Sequence, residues 1–352
     1  MDVTSELYTK IEITNNGVVR WNLPATLLKR IEDKNIIFGN FNDDKTGFEK
    51  EVGLGLKVLA GIFEKGVKKE DISKLSNNSS INWDVDIDNI VNDLNILFRL
   101  INDYAFFKYL HFWKTSIRSL LSDAIMLNFI LLMYKDWKSK GKPITDNNVK
   151  KVQKNAYILF DQMVYEYVTK QWRCSSDNKI ARNIDNFISL QKNGLFIPVD
   201  QEKGNILISD IIDKNLVDND NIDLSIMTPL VYYFYLLKNV AGPNDIDCTI
   251  EVDHIFPKAK FESSTIVNKD IIKDNLFNLG LLPKKENISR SNKLLREITD
   301  EWLIDQIVKY ENISQDDFIK YSDINNLKAL SELRGNLYKN AFSECRMQKI
   351  NN

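Results

Sequence analysis

The feature that most narrows the fold is an apolar period of 3.6 residues running through much of the first 190 positions. Between residues 49 and 65 it sets Val52, Leu56, Val58, Leu59 and Phe63 on one stripe. Between 86 and 103 it does the same with Ile87, Ile90, Val91, Leu94, Leu97, Phe98 and Ile101. Residues three and four apart share one face of a helix, and such a face needs other elements to cover it. The same pattern predicts helices over roughly 114–137, 146–170 and 176–191, with Pro143 between two of them and Gly194 closing the last. The most apolar run, Leu120 to Tyr134, is interrupted by Asp123 and Asn128 and stops at Lys135-Asp136, so it reads as a buried helix and not as a bilayer span.

The pattern loosens from 198 to 225, through Pro198, Gly204 and the acidic run Asp218 to Asp223. That run lacks the central Gly of a calcium loop and has Pro229 where the bidentate Glu belongs, so it reads as a solvated linker. A short aromatic helix from Pro229 to Lys238 follows, then a break at Ala241-Gly242-Pro243. Residues 248–253, Cys-Thr-Ile-Glu-Val-Asp, are short, β-branched and alternating, the clearest strand signal in the chain, with Leu279 to Leu282 as its expected partner. Beyond Pro283 the pattern is helical again, with closing helices expected over 298–311 and 323–346. The expected organisation is a helical body (1–245), a ββα segment (246–300) and C-terminal helices (301–352).

Charge limits the possible partners. Lys and Arg number 47 against 49 Asp and Glu, a formal net charge of -2, so no uniformly basic coat is available to grip nucleic acid. Residues 248–296 nevertheless hold nine Lys/Arg against six Asp/Glu, and five of those cations stand against one Glu within 283–296. The positive charge is therefore local. Cys174, Cys248 and Cys345 lie far apart with no C-x-x-C pair, which supports neither a disulfide framework nor a zinc site. Met1-Asp2-Val3-Thr4 opens no signal peptide, so the expectation is a cytoplasmic protein without a membrane segment.

The chain has two histidines. His111 lies in the aromatic stretch Tyr109-Leu110-His111-Phe112-Trp113 and is read as structural, whereas His254 ends the expected strand beside Asp253. Adjacent strand residues point to opposite faces, so Asp253 and His254 converge only where pairing ends, and Pro257 helps end it. If the stretch after Pro283 is helical, Asn287, Arg290 and Ser291 share a face. A carboxylate and an amide oxygen facing each other suit a hard divalent cation, and a neutral imidazole suits activation of water near pH 7.

Asp253-His254-Ile255-x-Pro257, Asn278-x-x-Leu281 and Asn287-x-x-Arg290-Ser291-Asn292 together resemble an HNH endonuclease, the ββα-metal nuclease. The spacing of nine positions from Asn278 to Asn287 is similar to that in the HNH domain of the CRISPR RNA-guided effector nuclease. The whole combination looks closer still to GmrSD-type modification-dependent restriction endonucleases, with a weaker likeness at Trp172 to Ala181. The resemblance implies a mainly α-helical chain with an embedded ββα-metal (HNH) motif near its C-terminus. It implies His254 as general base and Asp253 and Asn287 as holders of one Mg²⁺ or Mn²⁺. Asn278 would orient the His254 ring or position the loop. Arg290, Lys293, Lys284 and Lys285 would meet nucleic acid. The implied activity is metal-dependent DNA cleavage in a prokaryotic restriction or anti-phage system, with RNA as another substrate and a non-catalytic binding or scaffold subunit as the alternative. The chain departs from that family in carrying no Asp-Gly-Gln-Gln-Arg signature and no P-loop, so either a separate nucleotide-hydrolysing or sensor subunit supplies that function or the nuclease works without it. It also has a long segment, Glu262 to Asn275, between the two strands.

Overall fold

The computed structural model describes residues 12–15, 18–21, 23–31, 45–75, 77–173, 175–189, 195–214, 224–238, 248–264, 273–311, 313–321 and 323–351. In chain order the elements are β1 (Glu12–Asn15), β2 (Val18–Trp21), α1 (Leu23–Arg30), α2 (Lys45–Phe63), α3 (Lys69–Leu75), α4 (Trp83–Asn102), α5 (Ala105–Phe112), α6 (Ile117–Leu120), α7 (Asp123–Ser139), α8 (Asn147–Val168) and α9 (Ser176–Ser189). They continue with α10 (Gln201–Lys214), α11 (Leu224–Lys238), β3 (Ile250–His254), α12 (Lys258–Glu262), β4 (Leu279–Pro283), α13 (Lys284–Arg290), α14 (Glu301–Glu311), α15 (Gln315–Lys320), α16 (Leu327–Asn340) and α17 (Arg346–Asn351). The protein is mainly helical, and the described strands form two antiparallel pairs, β1 with β2 and β3 with β4. Among the described residues no helix is long and apolar enough to cross a membrane. The acidic run 218–223, Cys174 and the side chain of His111 lie outside the described set.

The chain divides into two compact units, one of residues 1–108, 116–166 and 170–197, the other of 109–115, 167–169 and 198–352. The segments read from sequence as 246–300 and 301–352 therefore fall within one unit.

In the first unit, all seven apolar residues of the 86–103 stripe are buried along α4. Asp84 and Asp86 lie in its first turn and Arg99 in its last, each at the end of the helix dipole that favours its charge. The stripe of α2 differs from the expected one. Val58 and Leu59 are buried, but Val52, Leu56 and Phe63 are only half-buried, and Leu54 and Ala60 face inward instead. Gly61 is the reason: a Cβ there would stand 2.3 Å from the Leu131 side chain of α7, so the two helices meet where α2 has no side chain. α7 is buried along its middle, from Ile125 to Tyr134, and Ser122 caps it by accepting the Ile125 N–H at 3.2 Å.

The second unit is built around the β3–β4 pair. Its register sets Ile250 opposite Pro283, Asp253 opposite Gly280 and His254 opposite Leu279. β4 is buried throughout and leads directly into α13. A cluster including Phe256, Phe261, Phe277, Leu282, Ile307 and Leu330 forms the core beneath it. α11 starts at Leu224, so Pro229 lies inside the helix and not at its start. The deepest tie is Arg334 of α16. It is fully buried and donates to the carbonyls of Phe277 at 2.7 Å, Leu279 at 2.6 Å and Glu311 at 2.5 Å. Buried backbone carbonyls need donors, and one guanidinium serves three, two on the 277–279 stretch and one at the end of α14.

Candidate catalytic site on a strand, strand and helix unit

Alternation along β3 sends Glu251 and Asp253 to one face and Val252 and His254 to the other. α13 meets the first of these faces. Asn287 donates through Nδ2 to Glu251 Oε2 at 3.1 Å, and Lys284 Nζ stands 3.6 Å from the same carboxylate. One turn further on, Arg290 pairs with both Asp253 and Glu311 through one nitrogen and donates to the Ile255 carbonyl through the other.

That arrangement corrects one expectation from sequence. Arg290 does share a helix face with Asn287, but the face is turned into the protein and the side chain has no exposed surface, so it is a buried strut and does not meet phosphate. Lys284, Lys285 and Lys293 are exposed, as phosphate contacts require. Lys285 Nζ lies 5.8 Å from the ring of Trp302, itself half exposed.

Glu311 is fully buried beside Asp253 and Arg290. Burial pushes its carboxyl well above the usual range, Asp253 pushes the same way, and Arg290 pulls against them. Burial therefore favours the protonated form of Glu311 while Arg290 is shared between the two carboxyl groups. Gly280 fits tightly here: a Cβ would come within 3.1 Å of Glu311 Cγ and 3.2 Å of Tyr235 Oη, so any larger residue would push those side chains back by a few tenths of an ångström.

Asn278 is fully buried and makes no described bond to His254. Its side-chain oxygen accepts the Phe256 N–H at 2.8 Å, and its amide donates to the carbonyls of Phe256 at 3.1 Å and Lys273 at 2.8 Å. Of the two roles open to it, the geometry is that of positioning the loop.

His254 ends β3 with its Nε2 2.8 Å from Asp274 Oδ1, each side chain 14% exposed. Lys258 Nζ reaches the same oxygen at 3.1 Å. Sequence reading passed over Asp274, Glu251 and Glu311. Glu251 lay in the expected strand, Glu311 at the end of an expected closing helix and Asp274 in the long stretch between the strands, but none was given a role in the site.

No family model matches the sequence, no curated protein matches it, and no solved structure matches the fold.

The donor set on the α13 face consists of carboxylate and amide oxygens, the chemistry a hard divalent cation takes. Glu251 and Asn287 are its accessible members. Asp253 belongs to the same face, but its side chain is buried and its Oδ2 is held by Arg290, so that oxygen becomes available only when the pair opens. Among the described residues no three His, Cys, Asp or Glu side chains already converge as a metal cluster.

Proposed function

We propose that this chain is a metal-dependent endonuclease of the HNH type that hydrolyses phosphodiester bonds in DNA. The observation that carries the reading is the order strand, strand, helix. That order sets His254 at the end of β3 with Asn278 anchoring the turn after it, and Asn287 on the helix that meets the other face of the strand, at Glu251. His254 acts as the base that takes a proton from water. Asn278 holds the 254–257 turn. Lys284, Lys285 and Lys293 supply exposed positive charge for flanking phosphates. A Mg²⁺ or Mn²⁺ ion held by Asn287 with the carboxylates of its face, Glu251 and Asp253, would neutralise charge on the phosphate and the leaving oxygen. The likeness to GmrSD-type enzymes supports a role in prokaryotic restriction or anti-phage defence, in the cytoplasm, with a separate nucleotide-hydrolysing or sensor subunit as partner.

The Arg290–Asp253 pair favours a second reading, a nucleic-acid-binding or scaffold subunit without chemistry, because it removes one expected ligand from use. Conversion of supercoiled plasmid to nicked or linear form separates the two. The nuclease reading expects cutting with Mg²⁺ or Mn²⁺ that EDTA abolishes and that His254→Ala loses while DNA affinity stays. DNA binding by the wild type with no cutting under either ion would overturn it in favour of the scaffold.

A further inference from the structure

We infer that Asp274 is a positioning residue for His254, fixing the ring as the tautomer protonated on Nε2 and leaving the Nδ1 lone pair as the base. The inference rests on the nuclease reading only for what that lone pair does. The orientation itself follows from the Nε2 to Oδ1 distance of 2.8 Å between two side chains that are each 14% exposed.

A carboxylate that is ionised can only accept, so the ring nitrogen facing it carries the hydrogen. Asp274 is held in that state. Burial would raise its carboxyl, but the hydrogen bonds from His254 and Lys258 outweigh burial and keep it below the ordinary carboxylate range. Lys258 Nζ reaches the same oxygen at 3.1 Å, so the carboxylate is held from two sides and keeps its place against the ring.

The pair is also set in advance by a single buried amide. Asn278 grips Phe256, two residues beyond His254, and the carbonyl of Lys273, the residue before Asp274. Its own carbonyl accepts the Ile255 N–H at 2.9 Å. The two backbone segments that carry the histidine and the aspartate thus share one anchor. In the reaction, Nδ1 takes one proton from water as the water oxygen bonds to phosphorus and the bridging P–O bond breaks. The leaving oxygen takes a proton from solvent, and the imidazolium returns its own to solvent.

The chain has two histidines, so the test is clean. Long-range ¹H–¹⁵N correlation on the full-length protein, with His111→Gln for assignment, reads the tautomer of His254 directly. Wild type is expected to show Nε2 protonated and Nδ1 bare. Asp274→Ala is expected to give a mixture of tautomers, and Asp274→Glu to recover much of the Nε2 form. In plasmid cutting, Asp274→Ala should lower kcat about 10- to 100-fold, the usual cost of losing a group that orients a ligand or base, with KM for DNA unchanged. A wild-type His254 protonated on Nδ1, or a tautomer that Asp274→Ala leaves unchanged, would overturn the inference. Should the alanine variant not fold, the wild-type spectrum decides alone. Absence of cutting by a wild type that shows the expected tautomer would count against the nuclease reading and not against this one.

Discussion

Asn278 and Phe256 exchange a reciprocal pair of hydrogen bonds, Phe256 N–H to Oδ1 at 2.8 Å and Nδ2–H to the Phe256 carbonyl at 3.1 Å. The pairing imitates one rung of an antiparallel ladder just past the point where β3 stops, so the turn carrying His254 is held as firmly as a strand. Asn278→Ala is expected to leave those backbone groups buried and unpaired, at about 1–3 kcal/mol for each. Native-state hydrogen exchange at residues 254–257 would register it as lost protection, together with lost cutting. Unchanged protection would show that the turn holds itself.

Arg290→Met should cost about 3–5 kcal/mol, because it strands the Asp253 charge in the interior. Asp253→Asn should cost clearly less. With Asp253 neutral, Glu311 can give up its proton and become the counter-charge to Arg290. Urea midpoints at constant m-value compare the two, and equal losses would mean that Glu311 does not substitute.

Glu311 also sets a pH dependence. Its folded pKa lies above its unfolded value, so the folded state binds more protons between the two, and stability is full below the unfolded value and falls as pH rises toward the folded one. Glu311→Gln keeps the neutral form at every pH. Its melting temperature should fall less than that of wild type from pH 5 to 8, and parallel curves would contradict this.

Asn287→Ala and Glu251→Gln are expected to raise the Mn²⁺ concentration needed for half-maximal cutting while changing stability by only about 1 kcal/mol, since their shared hydrogen bond is partly exposed. Metal titration of plasmid cutting reads the first quantity and urea unfolding the second. An unchanged requirement for Mn²⁺ in both variants would remove this face from consideration as the ion's seat.

In the first unit, Lys135 on α7 has its ammonium lowered to about 8 by burial, with Lys138 adding to the effect. A depressed amine destabilises the fold while the unfolded chain holds the proton, so Lys135→Met should stabilise at pH 7, by about 1–2 kcal/mol after allowing for partial solvation. The gain should shrink as pH rises through 8 toward the ordinary lysine range. Thermal unfolding at pH 7 and pH 10 tests it, and an equal gain at both would assign the effect to packing alone.

Local pattern carried much of this fold. The stripe of α4 and the pairing of 250–254 with 279–283 follow from periods of 3.6 and 2 that need no distant partner. The short strands Glu12–Asn15 and Val18–Trp21 also carry a local signal, the dipeptide Asn16-Gly17 between them. What stayed hidden depends on contacts between distant positions. Spacing put Arg290 on the face of Asn287, but only Glu311, 21 residues on, turns that face into an interior. Asp274 has no fixed distance from His254 that chemistry requires, so the length of the segment between the strands gave no hint of its partner.

Arg334 gives the second unit an indivisible character. Every residue named from sequence for chemistry precedes position 300, yet the carbonyls of Phe277 and Leu279 beside Asn278 are held by a side chain of α16. A premature stop after Asp300 would spare every one of those letters and still leave the Phe277 and Leu279 carbonyls without their buried donor. Natural variants of this gene should therefore tolerate loss of their last hundredth more readily than loss of their last seventh, and a transplant of residues 246–300 into another protein would carry the spelling of the site without its support.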